Sequence, residues 1–161
     1  MAGDLEMLAA SELFRGIDAG TLERLLAVGH RTTVPSGTTL FKLGEPATSM
    51  YVIVRGRIAL SLPIEIRGAQ QDITVDERGP GDVIAWSALV PPHLSTFAAR
   101  TLIDSELVQL PSAALVPALR AEPAAGMQVM TNLAAVVGRR MHLVQAMWLR
   151  ELQRMVASRY A

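Results

Sequence analysis

The chain contains no cysteine, so disulfides, thiolate zinc sites and cysteine nucleophiles are all excluded. Lysine is nearly absent too: Lys42 stands alone and every other base is arginine. Bases and acids balance at 15 each over 161 residues, for a formal charge of zero. A surface that grips nucleic-acid phosphates needs a clustered basic excess, and none is visible. No apolar run approaches the ~20 residues of a membrane span. The start, MAGDLEMLAASELF, places acids where a signal peptide carries bases. A cytoplasmic protein is the expectation, and arginine with abundant alanine suggests a GC-rich bacterial genome. Only three histidines occur, His30, His93 and His142, far apart in sequence. No His-x-His pair with a third ligand, Ser-His-Asp grouping, Gly-rich phosphate loop or carboxylate pair is recognisable. Neither a metal site nor an enzyme is expected.

Half the residues are apolar, enough for one well-buried domain over 1–161. Three regimes follow along it. Residues 4–28 predict two short helices, the first with Leu8, Leu13 and Phe14 as an apolar stripe. The second is capped by Asp18, carries Leu22, Leu25 and Leu26, and has Glu23 near its positive end. Over 29–110 the period drops to two. Runs at 33–34, 38–41, 50–54, 57–62, 72–75, 95–101 and 106–110 are separated by Pro-Ser-Gly, Gly-Glu-Pro and Arg-Gly turns. Short strands at that spacing predict an all-β sandwich or barrel.

From Pro111 the period becomes helical again. A short helix is expected over 111–121, with Pro117 tolerated near its first turn. A long one follows over 122–159. Met130, Leu133, Val137, Met141, Val144, Trp148, Leu152 and Met155 recur at steps of three and four, a heptad-like seam. About 35 residues give roughly 50 Å of helix, longer than the β-domain is wide. A second apolar line through Leu143, Met147 and Leu149 widens the face. The seam is expected to pair with a second copy of the chain; the plainer alternative is a helix packed only on its own domain.

Helices, short-stranded barrel and long helix occur here together with LFKLGEPATSMYVIVRGRIALSL (40–62) and GPGDVIAWSALV (79–90). This resembles the cyclic-nucleotide-binding domain of the catabolite-activator and FNR-like regulators, kinase regulatory subunits and gated channels. The matching residues are Gly44, Glu45, Tyr51, Ile53, Val54, Gly56 and Ile58, then Gly81, Asp82 and Ile84 at the start of the phosphate-binding cassette. The resemblance covers roughly 12–145. It implies a mainly β α+β fold, a jelly-roll barrel flanked by N-terminal helices and a long C-terminal helix, with no catalytic role. The matching glycines are expected to be primarily structural.

The resemblance also implies where a ligand sits: Gly81, Asp82, Ile84, Ala85, Trp86, Ser87, Ala88, Ser95 and Thr96. In the family a glutamate holds the ribose and, some ten residues on, an arginine neutralises the cyclic phosphate. Here Trp86 stands at the glutamate position and Ser95 at the arginine position. Strand parity puts Arg100 on the face opposite Ser95, so it is no substitute. Loss of the charge-assisted contact weakens phosphate binding by roughly 1.5–3 kcal/mol. Trp86 either stacks on a purine or fills the ribose space, and the Ser87 and Ser95 hydroxyls remain to hold an anion weakly.

Beyond a possible cyclic nucleotide, no cofactor is expected. Haem is a minor alternative, through His93 at the cassette mouth or His142 among the methionines of the long helix. No helix-turn-helix of the kind that DNA-binding relatives append after the long helix is expected, and Arg139, Arg140, Arg150, Arg154 and Arg159 are expected on a solvated helix flank. The expected protein is thus a dimeric sensor that signals through its long helix to a partner protein, or else a constitutive dimeric interaction module with a plugged pocket.

Overall fold

Apolar side chains alternate along the two central strands in a way that buries one sheet on both faces. The computed structural model describes residues 2–160, without the side chain of Ala2; Met1 and Ala161, the ends of the expected 1–161 domain, lie outside the described residues. Two helices come first, α1 (Ala2–Ala10) and α2 (Ala19–Ala27). The strands are β1 (His30–Val34), β2 (Thr39–Phe41), β3 (Ser49–Arg55), β4 (Ile58–Ile66), β5 (Ala69–Arg78), β6 (Val83–Ile84), β7 (Ala98–Thr101) and β8 (Ser105–Pro111). A short 3-10 helix, Trp86–Leu89, lies between β6 and β7, and α3 (Ser112–Ala121) and α4 (Pro123–Arg159) follow. The strands form two four-stranded sheets, ordered β1-β8-β3-β6 and β2-β7-β4-β5, with every pairing between named strands antiparallel. The expected jelly-roll architecture is the one observed.

On β3 and β8, Ile53 and Leu107 point into the space between the sheets with Ile58, Leu60, Ile84 and Ala99. Met50, Val52, Val108 and Leu110 point the other way, into a second cluster with Leu8, Phe14, Leu22, Leu25, Leu115, Val129 and Leu133 of the helical segments. One sheet is therefore the middle layer, covered by helices from both ends of the chain. Asp18 caps α2, accepting from the Thr21 N–H at 3.0 Å. The base of α4 is tied to the turn after α1 by buried Asn132, whose Nδ2 donates to the carbonyls of Leu13 (2.9 Å) and Arg15 (3.0 Å).

Several expectations need correction. The strand expected over 95–101 begins only at Ala98, because residues 95–97 bend around the cassette. The β4–β5 hairpin is longer than expected, closed by Arg67-Gly68 with φ of 53° and 79°, the signature of a two-residue type I′ turn. Pro117 sits in the second turn of α3 and not in its first; buried Leu115 and Leu119 hold the helix across the missing N–H. The seam of α4 also divides. Leu133 is buried in the chain's own core and Val137 packs against it, whereas Met130, Met141, Val144, Trp148 and Met155 are exposed.

Gly56, at the reversal between β3 and β4, has φ 116°, and a Cβ there would lie 2.8 Å from the Cα of Ser105. Gly56→Ala is expected to cost about 2 kcal/mol or more in urea unfolding; an unchanged midpoint would contradict the contact. Asn132→Ala strips two inward carbonyls of their donor and is expected to cost about 2 kcal/mol, read in the same assay.

Candidate functional site

The cassette begins with a turn that the sequence holds against β3. The Gly79 N–H donates to Asp82 Oδ2 (2.9 Å), the Gly81 N–H to the Ile53 carbonyl (2.8 Å), and the Ile53 N–H to the Asp82 carbonyl (3.0 Å). β6 then pairs Ile84 with Tyr51 and Val83 with Val52. Ala85 turns the chain into the 3-10 helix with φ 59° and ψ 34°, a left-handed conformation that costs a residue with a Cβ roughly 1–2 kcal/mol. The 3-10 turn is closed by the Ala88 N–H to the Ala85 carbonyl and the Val90 N–H to the Ser87 carbonyl. His93 Nδ1 lies 3.2 Å from the Ser87 carbonyl oxygen.

The far side of the cassette is clipped to the Gly44-Glu45-Pro46 turn. The Gly44 N–H donates to the Ser95 carbonyl and the Ser95 N–H to the Glu45 carbonyl, both at 2.8 Å. The Ala47 N–H takes the His93 carbonyl at 2.8 Å. The Gly-Glu-Pro motif therefore acts on the cassette through its backbone, fixing Ser95 in position.

Between these walls lies a cavity lined by Phe41, Leu60, Ile84, Ala85, Trp86, Ser87, Ser95, Thr96, Phe97 and Arg140. Its free volume is only about 10 Å³, room for about one water. Trp86 is half-buried and packs against the helical core. Of the residues expected at the site, Ile84, Ala85, Trp86, Ser87, Ser95 and Thr96 line this cavity. Gly81 and Asp82 do not, since they latch the preceding turn, and Ala88 is buried in the core instead. Arg100 is exposed, donates to the Gly37 carbonyl (3.0 Å), and borders an open hollow of about 640 Å³ outside the β2-β7-β4-β5 sheet. Ser95 lines the cavity and Arg100 the outer hollow, an arrangement set by the bend at 95–97 and not by strand parity, since β7 begins only at Ala98.

Arg140 overturns an expectation. It is not on a solvated flank with the other arginines of α4 but turns inward, its Cζ 5.7 Å from the centre of the Trp86 ring, within cation–π range. Burial, and then the nearby charge of Arg78, lower its pKa from the usual arginine value. The signal was present in the sequence: Val129, Leu133 and Val136 are the buried stripe of α4, and one further turn along it is residue 140. Arg139, by contrast, reaches Glu12 Oε2 at 3.3 Å on the surface. His93 and His142 are both exposed, and among the described residues no group of three or more His, Asp or Glu is gathered as for a metal ion.

Residues 31–122 match the family model of the cyclic nucleotide-binding domain. Over 44 residues the chain is 41% identical to the CRP-like protein Clp of Xanthomonas campestris, a match that spans 27% of this chain and 19% of that protein. Its fold is that of the Thermus thermophilus catabolite activator protein, with TM-score 0.72 and 24% identity over 84% of this chain and 60% of the other. A cyclic nucleotide-binding domain from Methylobacillus flagellatus gives 0.74 at 18% identity, covering 88% and 78%. The regulatory domain of Toxoplasma gondii PKA, solved with cAMP, gives 0.64 at 20% identity, covering 78% and 46%.

If Ala85 is held in a left-handed conformation, Ala85→Gly relieves that strain at a smaller entropic cost in the unfolded chain. The expected result is about 1 kcal/mol of added stability in urea unfolding; a loss would show that Ala85 is unstrained.

Proposed function

The chain belongs to the cyclic nucleotide-binding domain family, and we propose on that premise that it is a non-catalytic regulatory domain that senses a small molecule in the cassette and signals through α4. The observation that carries this is the dual position of α4. Arg140 forms part of the cavity wall, and from residue 141 onward the helix leaves the domain with nearly every residue exposed. Whatever moves the cavity wall therefore moves a long lever.

The distal half of α4 supports self-association. Met141, Val144 and Trp148 are each 60% exposed or more, and large apolar side chains on a projecting helix are stabilised by a second apolar face. A homodimer through Met130, Met141, Val144, Trp148, Leu152 and Met155 satisfies that requirement. Leu133 and Val137 are already used by the domain and steady the base of the lever. The signal then passes to a partner protein that recognises the dimer or its helices, in a cytoplasmic setting. No nucleic-acid, membrane, metal or haem role enters this reading.

The ordinary cyclic nucleotide is held weakly in it, because Trp86 and Ser95 provide neither a carboxylate for ribose hydroxyls nor a guanidinium at the strand position. The small cavity volume favours a second reading, in which Trp86 plugs the cassette permanently and the protein is a constitutive dimeric interaction module.

Thermal-shift and calorimetric titration with cAMP, cGMP and cyclic dinucleotides separates the two, alongside light scattering to report mass. A sensor is expected to bind cAMP tenfold to a hundredfold more weakly than a site with a buried Arg–phosphate contact, and Trp86→Ala is expected to tighten binding by opening the cavity. A plugged module shows no ligand response in either form. Micromolar cAMP binding unaffected by Trp86→Ala and Ser95→Ala would remove both positions from control of the site. Val144→Asp is expected to give a monomer; a monomeric parent chain would defeat the dimer assignment.

A further inference from the structure

The hollow of about 640 Å³ on the outer face of the β2-β7-β4-β5 sheet shares no lining residue with the cassette cavity, and its size is that of a small-ligand site. Strand alternation sets its floor. Ile58 and Leu60 of β4 and Ala99 of β7 point into the core between the sheets, so Ala59, Ser61 and Ala98 point outward. Outward residues of a sheet ordinarily meet water, yet these three are only 5%, 7% and 9% exposed. They are small, and longer residues around them form walls. Ser61 stands opposite Ala98 on one side and Thr74 of β5 on the other, so the middle of the floor is a row across three strands. Among the described residues the Ser61 hydroxyl makes no hydrogen bond. It is a buried donor that opens onto the hollow.

Sheet order divides the charges of the hollow. Lys42, directly after β2, and Arg100 of β7 lie at one end, and Asp72 of β5 lies at the other. Lys42 and Asp72 form no ion pair among the described residues. Arg100 is steadied by its Nε bond to the Gly37 carbonyl (3.0 Å), which leaves its Nη groups available. Leu43 and Leu102, 43% and 40% exposed, add apolar wall. β2 and β5 are separated by three strand spacings of ~4.8 Å, about 14 Å in all. That is the length of about four residues of extended peptide, and a single amino acid is too short to meet both ends. A nucleotide fits poorly, because Asp72 repels its phosphate and no aromatic side chain lines the hollow for a base to stack on.

We propose that this hollow is a second binding site, one that takes a short extended peptide of about three to four residues with both ends free. The terminal carboxylate meets Lys42 and Arg100, whose planar fork matches it. The amino end meets Asp72. The peptide's backbone amides meet the Ser61 and Thr74 hydroxyls, each able to donate and accept. Small side chains suit the shallow floor over Ala59 and Ala98. This site is independent of what the cassette binds.

The test is an NMR titration of the isotope-labelled full chain with four probes: tetraalanine, its N-acetyl form, its C-terminal amide and dialanine. Tetraalanine is expected to give saturable shifts at the amides of Ala59, Ser61, Thr74 and Ala98, with Trp86 unmoved. Each blocked form is expected to bind about threefold or more weakly, and dialanine, which is too short to meet both ends, more weakly still. Lys42→Gln is expected to weaken tetraalanine but not its amide, and Asp72→Asn to weaken tetraalanine but not its N-acetyl form. Ser61→Val is expected to weaken every probe. Arg150→Gln, which removes an exposed charge from α4, is expected to change nothing. Circular dichroism melts check that each variant folds. Absence of saturable shifts at the hollow overturns the proposal. Equal affinity for free and blocked tetraalanine overturns it as well, as does dialanine binding as tightly as tetraalanine. Shifts centred on Trp86 and Ser95 in place of the hollow also overturn it, and leave the sensor reading of the cassette standing.

Discussion

The constraint on which the rest depends is that the β1-β8-β3-β6 sheet is apolar on both faces. Its inner face is closed by the second sheet, but Met50, Val52, Val108 and Leu110 on the outer face must be covered by something else. Burying such side chains is worth roughly 1.5–3 kcal/mol each, so the helices that cover them are held firmly. The base of α4 is one of those covers, through Val129 and Leu133, with Asn132 between them tied to the turn after α1. Once that base is fixed, helix geometry dictates what comes next. The stripe that covers the sheet continues for one more turn past Val136 and delivers Arg140 to the cassette. The cavity wall is thus completed by the same packing that completes the core.

Beyond Arg140 the constraint ends. The sheet is covered, and from residue 141 the helix has left the domain's surface. This is why one continuous apolar pattern divides into two uses. Leu133 serves the intramolecular core, while Val144 and Trp148 remain exposed. Steps of three and four are common to both uses, so periodicity alone could not partition them.

The architecture was legible in the sequence because its punctuation is strong. Asp18 capping α2, Gly56 at a reversal with no room for a Cβ, and Pro123 opening α4 each have a local physical meaning that the structure repeats. Less legible were features that depend on neighbours. β4 and β5 run well beyond the expected 57–62 and 72–75 because their outer halves pair with each other in solvent, where burial imposes no clear alternation. The bend at 95–97 is set by hydrogen bonds to Gly44 and Glu45, fifty residues away in sequence. Arg140 and Arg139 carry the same charge, and only helical position separates the inward one from the outward one. The stripe Val129, Leu133, Val136 would have placed it, given the knowledge of which face is buried.

Trp86 and Arg140 together also explain how a cassette that keeps its frame can have so little free volume. The frame is set by the Gly79 N–H bond to the Asp82 carboxylate and by backbone bonds of Gly81, Gly44 and Glu45, none of which involves the side chains at 86 and 95. Substitution at 86 and 95 therefore leaves the frame intact and changes only what fills it. The indole and the guanidinium over it occupy the space, in a contact worth roughly 0.5–2 kcal/mol. Any ligand that uses the cassette must first give up that contact, which lowers its apparent affinity by about twofold to thirtyfold. The same contact joins the cassette to α4, so in the proposed sensor the quantity that weakens binding is also the quantity that couples binding to the helix. A wider cassette without Arg140 over Trp86 would bind more readily and report less.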